Sequence, residues 1–286
     1  MEARGGRGDD DQVRFASALL PLLPLSLLIL FNTRSPGRAG LLARGLRLSG
    51  ILVHVTTNPT RPAQLSKYAE ATLEALAAAG LGHKLSLGGA LGLQHYFEYR
   101  FTHDVDAWWE PAATPAEREH VLQVVEAALH PFGPTRLRRW GEVSSLDLTV
   151  DGKIVFSFQV AIRSAQIEPT TTLPWVDVAL DSLPDLIASK MTALVERGAP
   201  RDFRDIHTLC EEEMVTAEEC WRLWKERQER SGSDADPYRA RLAVETHLTR
   251  IAQHRPLARI DEPNQRAAAA SVRSWFTQEF LDALVD

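Results

Sequence analysis

The sequence predicts an α+β protein: a small mixed sheet flanked by helices, followed by a C-terminal helical domain. Two observations lead there. Residues 135–162 read as three successive strands, with Asp151-Gly152 between the last two as a two-residue hairpin turn. Beyond Ser182 the apolar spacing becomes helical and stays so to the end of the sequence.

The elements follow in order. Leu65, Tyr68, Ala69, Leu73, Leu76 and Ala77 recur at helical spacing over residues 63–79, and Gly80 and Gly82 stop that helix. A short strand at 84–87 and a helix at 89–96 come next, then a strand at 104–110 closed by Pro111. Thr114-Pro115-Ala116-Glu117 is a helix start, with an N-cap, proline in the first position and an acid in the first turn; this helix runs to about His130. After the strands at 135–140, 143–150 and 153–162, residues 175–180 predict a final edge strand. Helices are expected at 182–196, 201–213, 216–230, 236–254 and 264–285, with breaks at Ser231-Gly232-Ser233 and at 256–263.

The chain divides accordingly into a non-globular extension (1–60), a sheet-bearing core (61–180) and a helical domain (181–286). In the first of these, residues 18–31 are an apolar run too short to span a bilayer and interrupted by Pro21 and Pro24. Asp9-Asp10-Asp11 stands where a secretory signal carries cations, so a non-globular or non-native extension is the first reading. A membrane-interface anchor is the second and a signal peptide the third.

The apolar fraction of 44% and charged fraction of 24% are those of a soluble globular protein. A formal net charge of −6 speaks against broad coating of nucleic acid and against DNA as a partner, while leaving room for a local basic groove. Cys210 and Cys220 lack metal-ligand spacing around them, which fits a reduced, cytoplasmic compartment.

The chemistry concentrates in Ser86-Leu87-Gly88-Gly89-Ala90-Leu91 and in Thr102-His103-Asp104-Val105-Asp106. Along a strand Asp104 and Asp106 share a face, and Gly88-Gly89 forms a small-residue turn that phosphates can approach. Two hard oxygen ligands beside such a turn suit Mg²⁺- or Mn²⁺-assisted nucleotidyl transfer. The plainer reading is a solvated strand with the acids balanced by Arg100 or Lys84. Their mutual repulsion, which a divalent cation removes, favours metal. Thr102 lies on the same face, as a phosphate contact or an ordinary strand residue.

A second group surrounds a Gly-Pro corner: Lys190 and Arg197 seven apart, then Arg201, Asp202 and Asp205. Capping by Asp202 and an Arg201–Asp205 surface pair is the plain account. A cationic set here could also hold phosphate opposite the metal.

The glycine turn, Arg100-Phe101-Thr102-His103-Asp104-Val105-Asp106, Lys190 and Arg201-Asp202-Phe203-Arg204-Asp205 together resemble, in order, the motifs of the AbiEii/AbiGii toxin nucleotidyltransferases, over about residues 62–215. The resemblance implies a minimal polymerase-β-like nucleotidyltransferase fold that moves a nucleoside monophosphate from an NTP to an acceptor hydroxyl, in some members a tRNA 3′ end. It further implies a toxin with a cognate antitoxin; no firm membrane partner is expected. By position it makes Asp104 and Asp106 metal ligands, and Lys190, Asp202 and Asp205 further catalytic residues. Gly88, Gly89, Thr102, Lys190 and Arg201 would bind the nucleotide.

Polymerase-like sites often use a third carboxylate on a neighbouring strand, where this chain has Gln159. An ideal Asp151-Gly152 hairpin pairs Asp147 with Phe156 and so turns Asp147 away from Gln159, unless a bulge intervenes. With Gln159 in place of an acid, the alternative function is a non-catalytic nucleotide- or RNA-binding protein of the same fold. Two further features stay open: Trp108 and Trp109 either stack a base or, for one of the two, pack the core, and Arg136, Arg138 and Arg139 beside Trp140 form either an RNA contact or a solvated strand edge.

Overall fold

The computed structural model describes residues 58–284. The extension expected at 1–60 lies outside them, apart from residues 58–60.

Seven strands form one mixed sheet in the order β3-β4-β5-β2-β1-β7-β6. At its centre, β2 (Val105–Trp109) runs parallel to β5 (Lys153–Ile162) and antiparallel to β1 (Leu85–Leu87). Val105, Ala107 and Trp109 are buried while Asp106 and Trp108 are half-buried, so strand alternation gives β2 an apolar and a polar side. The same division crosses the sheet. Leu87, Leu146, Leu148, Phe156, Phe158 and Val160 join Val105 and Ala107 in a core against α1 (Lys67–Ala78) and α3 (Pro115–Leu129). Each large side chain there contributes about 1.5–3 kcal/mol by leaving water.

Local chemistry fixes the helix ends. Ser66 caps α1, which starts later than the apolar spacing implies; Leu65 packs on the core from outside the helix. Thr114 and Glu117 close a reciprocal capping box on α3, as the sequence predicts. Asp151 and Gly152 both take positive φ, 50° and 74°, which suits the tight hairpin between β4 (Val143–Val150) and β5.

That hairpin corrects one expectation. Val150 pairs with Lys153 and Thr149 with Ile154, but Leu148 then pairs with Phe156, leaving Val155 as an extra residue in a β-bulge. Asp147 therefore pairs with Ser157, not Phe156, and shares the face of Gln159. The cause is the core. Only the bulge lets Leu146 and Leu148 stand with Phe158 and Phe156 on the buried side.

The edge strand expected at 175–180 is also revised. Only Ala179–Leu180 (β7) is extended, and it pairs with β1 inside the sheet; Thr171–Thr172 (β6) takes the edge. At the other edge lies β3 (Thr135–Trp140).

Five helices follow: α4 (Leu183–Glu196), α5 (Pro200–Glu211), α6 (Ala217–Ser231), α7 (Pro237–His254) and α8 (Pro263–Trp275). Met191, Leu194, Phe203, Ile206, Trp221 and Trp224 form their core, joined by Leu93 of α2 (Gly89–Gln94). The last predicted helix does not run straight to 285. At Trp275 it becomes a π-helical turn, Phe276–Phe280, which buries both phenylalanines. There Trp221 Nε1 donates to the Phe280 carbonyl at 3.0 Å.

Candidate active site

Register builds the site. On the polar face three rows of side chains cross the sheet from β2 to β3. In the first, the Ser157 N–H donates to Asp104 Oδ1 at 3.0 Å, Ser157 pairs with Asp147, and Asp147 with Arg136. The second runs Asp106, Gln159, Ser145, Arg138, and the third Trp108, Ala161, Val143, Trp140. Trp109 packs the core and Trp108 the site side.

The glycine turn closes directly on this face. A Cβ at Gly89, whose φ is +59°, would lie 2.2 Å from Asp106 Oδ2, and one at Gly88 would lie 2.6 Å from Trp108 Nε1. The Gly88 N–H donates to the Asp106 carbonyl at 2.8 Å, fixing turn to strand. Thr102 Oγ1 accepts the Asp104 N–H at 3.4 Å, which orders the approach to the acids.

The cations that the sequence offered as balance for the acids are committed elsewhere. Lys84 pairs with Glu117 at 2.7 Å, and Arg100 forks onto Asp205 at 2.9 and 3.0 Å. No ion pair to Asp104 or Asp106 exists among the described residues. Asp104 is exposed as a residue, yet its carboxyl is held above the usual range, first by desolvation and then by the neighbouring Asp106 charge. The Ser157 N–H, His103 and the exposed Arg201 pull the other way. Two hard oxygen donors that repel one another and lack a counter-ion fit a divalent cation. Among the described residues, no group of three or more His, Cys, Asp or Glu is arranged to hold one. Asp147 reaches the same face but accepts from Ser145 and Ser157 and pairs with Arg138 Nη2 at 2.6 Å.

The second group folds into two rungs between α4 and α5. Lys190 meets Asp205 at 2.9 Å, and Arg197 forks onto Asp202 with both contacts at 2.9 Å. Asp202 also accepts the Ala199 N–H, capping α5. Both aspartates are fully buried, and each side chain holds a cation. The predicted Arg201–Asp205 pair does not form, because Arg100 and Lys190 take Asp205 from inside. Burial alone would raise the Asp205 carboxyl, but hydrogen bonds from Arg100 and the charge of Lys190 bring it below the usual range.

Arg100 stands in the sequence reading as part of the resembling motif and as a counter-ion for the acids, but its tie to Asp205 spans a separation that no local pattern encodes. Arg163 was missed as well. It is almost fully buried on the polar face, donates to Ser86 Oγ, and meets Asp181 at 2.6 Å.

Among the described residues, no helix is long and apolar enough to cross a membrane. Of known protein families, the one described as nucleotidyl transferase AbiEii toxin, Type IV TA system, matches residues 71–271. No curated protein matches the chain.

Proposed function

Because this chain belongs to the nucleotidyl transferase AbiEii toxin family, we propose that it moves a nucleoside monophosphate from an NTP to the hydroxyl of an RNA acceptor, with a tRNA 3′ end as the first candidate. The observation that carries this reading is the carboxylate pair without a counter-ion. Asp106 lies against the glycine turn, Asp104 feels its charge from two residues before, and Lys84 and Arg100 are bound to other acids. These two residues would hold Mg²⁺ or Mn²⁺, which when bound offsets the charge of the triphosphate and of the reacting oxygens.

The chain's own groups have separate tasks. Gly88 and Gly89, having no side chains, bring the backbone of the turn directly against Asp106 and Trp108, where phosphate would approach. Arg201, exposed and electrostatically coupled to Asp104, attracts the triphosphate. Lys190, buried and held by Asp205, presents a fixed charge for the departing pyrophosphate. The acceptor hydroxyl forms its bond to the α-phosphorus as the bond to pyrophosphate breaks. Asp147 is the third carboxylate of this face and pairs with Arg138. A cognate antitoxin is the protein partner that family membership favours, and the cytoplasm the compartment.

A second reading, binding without turnover, is favoured by Gln159 standing directly across from Asp106. One experiment separates them: incubation with total tRNA and each labelled triphosphate, alongside Asp104→Ala. Label transferred by the wild type and lost in the variant supports transfer. Triphosphate binding without pyrophosphate release supports the second reading.

A further inference from the structure

The edge strand β3 carries two arginines and a tryptophan on the same side of the sheet as the acids. Arg136 stands in the row of Ser157 and Asp147, Arg138 in the row of Asp106 and Gln159, and Trp140 in the row of Trp108. The intervening Leu137 packs on the opposite, apolar core, so alternation along β3 is maintained. Arg139 follows the same alternation and pairs with Glu119 of α3 behind the sheet. Arg136 is exposed and makes no ion pair among the described residues. The Arg138 guanidinium lies 5.6 Å from the centre of the half-exposed Trp140 ring. Cations interleaved with an aromatic platform bind single-stranded nucleic acid: phosphates take the arginines and a base stacks on the ring. β3 is three strands from β2, about 14 Å at ordinary strand spacing. A short run of nucleotides covers that span.

We propose that the β3 face, through Arg136, Arg138 and Trp140, holds the single-stranded 3′ portion of the acceptor RNA and leads its terminal hydroxyl along the rows to Asp104 and Asp106. This rests on the transferase reading and adds to it the path by which the acceptor enters. In a protein of net charge −6, a basic strip on one strand edge gives RNA a local attractive face.

The test measures binding without chemistry: fluorescence anisotropy of a short labelled oligoribonucleotide with the full chain, no triphosphate and no divalent metal. Arg136→Ala and Trp140→Leu are the principal variants, because Arg138→Ala strands the buried Asp147 and risks the fold. Each is expected to weaken binding about tenfold. Arg136→Ala should also reduce the slope of log affinity against log salt by about 0.7, one single-strand phosphate contact. Arg139→Ala, behind the sheet, should bind as the wild type does. Wild-type affinity in Arg136→Ala and Trp140→Leu, with thermal melts unchanged, overturns the proposal. So does polyglutamate displacing the RNA as well as unlabelled RNA does, since the strip is then a general polyanion surface. Asp104→Ala should bind RNA normally, so loss of transfer and loss of acceptor binding are read separately.

Discussion

Gly89 and the Asp106 carboxylate fill adjoining space: any Cβ on Gly89 would fall 2.2 Å from Oδ2. Gly89→Ala therefore meets two penalties. A left-handed φ of +59° costs an L-residue about 1–2 kcal/mol, and the new methyl displaces a proposed metal ligand. A displacement on the order of 1 Å lowers rates about 100-fold. Urea midpoints and pyrophosphate release measure the two effects. Gly88→Ala meets only the Trp108 side chain and should retain more of both. Wild-type turnover in Gly89→Ala would remove the turn from the site.

Asp205 gathers Arg100 and Lys190, and its removal leaves two cations without their partner. Asp205→Asn is expected to lower unfolding free energy by about 3–5 kcal/mol, as breaking a buried pair does. Lys190→Met added to Asp205→Asn should cost less than the sum of the single changes, with a coupling of about 0.5–3 kcal/mol in denaturant titrations. Strict additivity would contradict the pairing.

His95 supplies a pH dependence remote from the acids. Burial pushes its ring down to about 4, against weaker opposing effects from the Leu91 carbonyl and Glu98. The neutral ring contacts Leu91 O through Nδ1 at 2.8 Å and accepts from Trp175 Nε1 at 3.2 Å. As pH falls from about 6.5 to about 4, the unfolded chain takes up a proton that the native ring refuses. Stability from this residue is complete above that window and lost at its lower end, by about 3 kcal/mol. Urea midpoints between pH 7 and 4 should fall accordingly, and His95→Gln should flatten the curve over that range.

Gln159 offers a gain-of-function test. It stands opposite Asp106 in parallel register, so Gln159→Glu places a further carboxylate beside the pair. Half-maximal pyrophosphate release should then need several-fold less Mg²⁺, as added ligand charge strengthens hard-cation binding. An unchanged Mg²⁺ titration would put position 159 outside the metal's reach.

Strand alternation was enough to read Asp104 and Asp106 onto one face, and the Thr114 capping box, the Asp151-Gly152 turn and the helical C-terminal part were equally legible. These features depend on neighbours within a few residues. What escaped depends on distant partners. Asp205 lies 105 residues from Arg100, so the local i, i+4 rule assigned it to Arg201 instead. The Asp147 error is of another kind, because its correction was already in the sequence. Leu146, Leu148, Phe156 and Phe158 share the buried face only if one residue bulges between the strands. Turn geometry taken alone overrode that apolar pattern. Arg136, Arg138 and Trp140 were visible as a group, but their side of the sheet depended on the same register.

The bulge at Val155 also sets limits on how this protein can change over time. It acts as a frame-setting residue: on its C-terminal side, odd positions of β5 serve chemistry and even positions serve packing. Losing Val155 alone would leave a regular ladder with Leu148 still opposite Phe156 and Asp147 opposite Ser157, whereas a second residue lost from this arm would exchange those duties and press Asp147 toward the phenylalanines. The hairpin thereby tolerates loss of its one extra residue but not of a second. A deletion scan through this arm, scored for soluble expression, should show survival when Val155 alone is removed and collapse when Ile154 and Val155 go together.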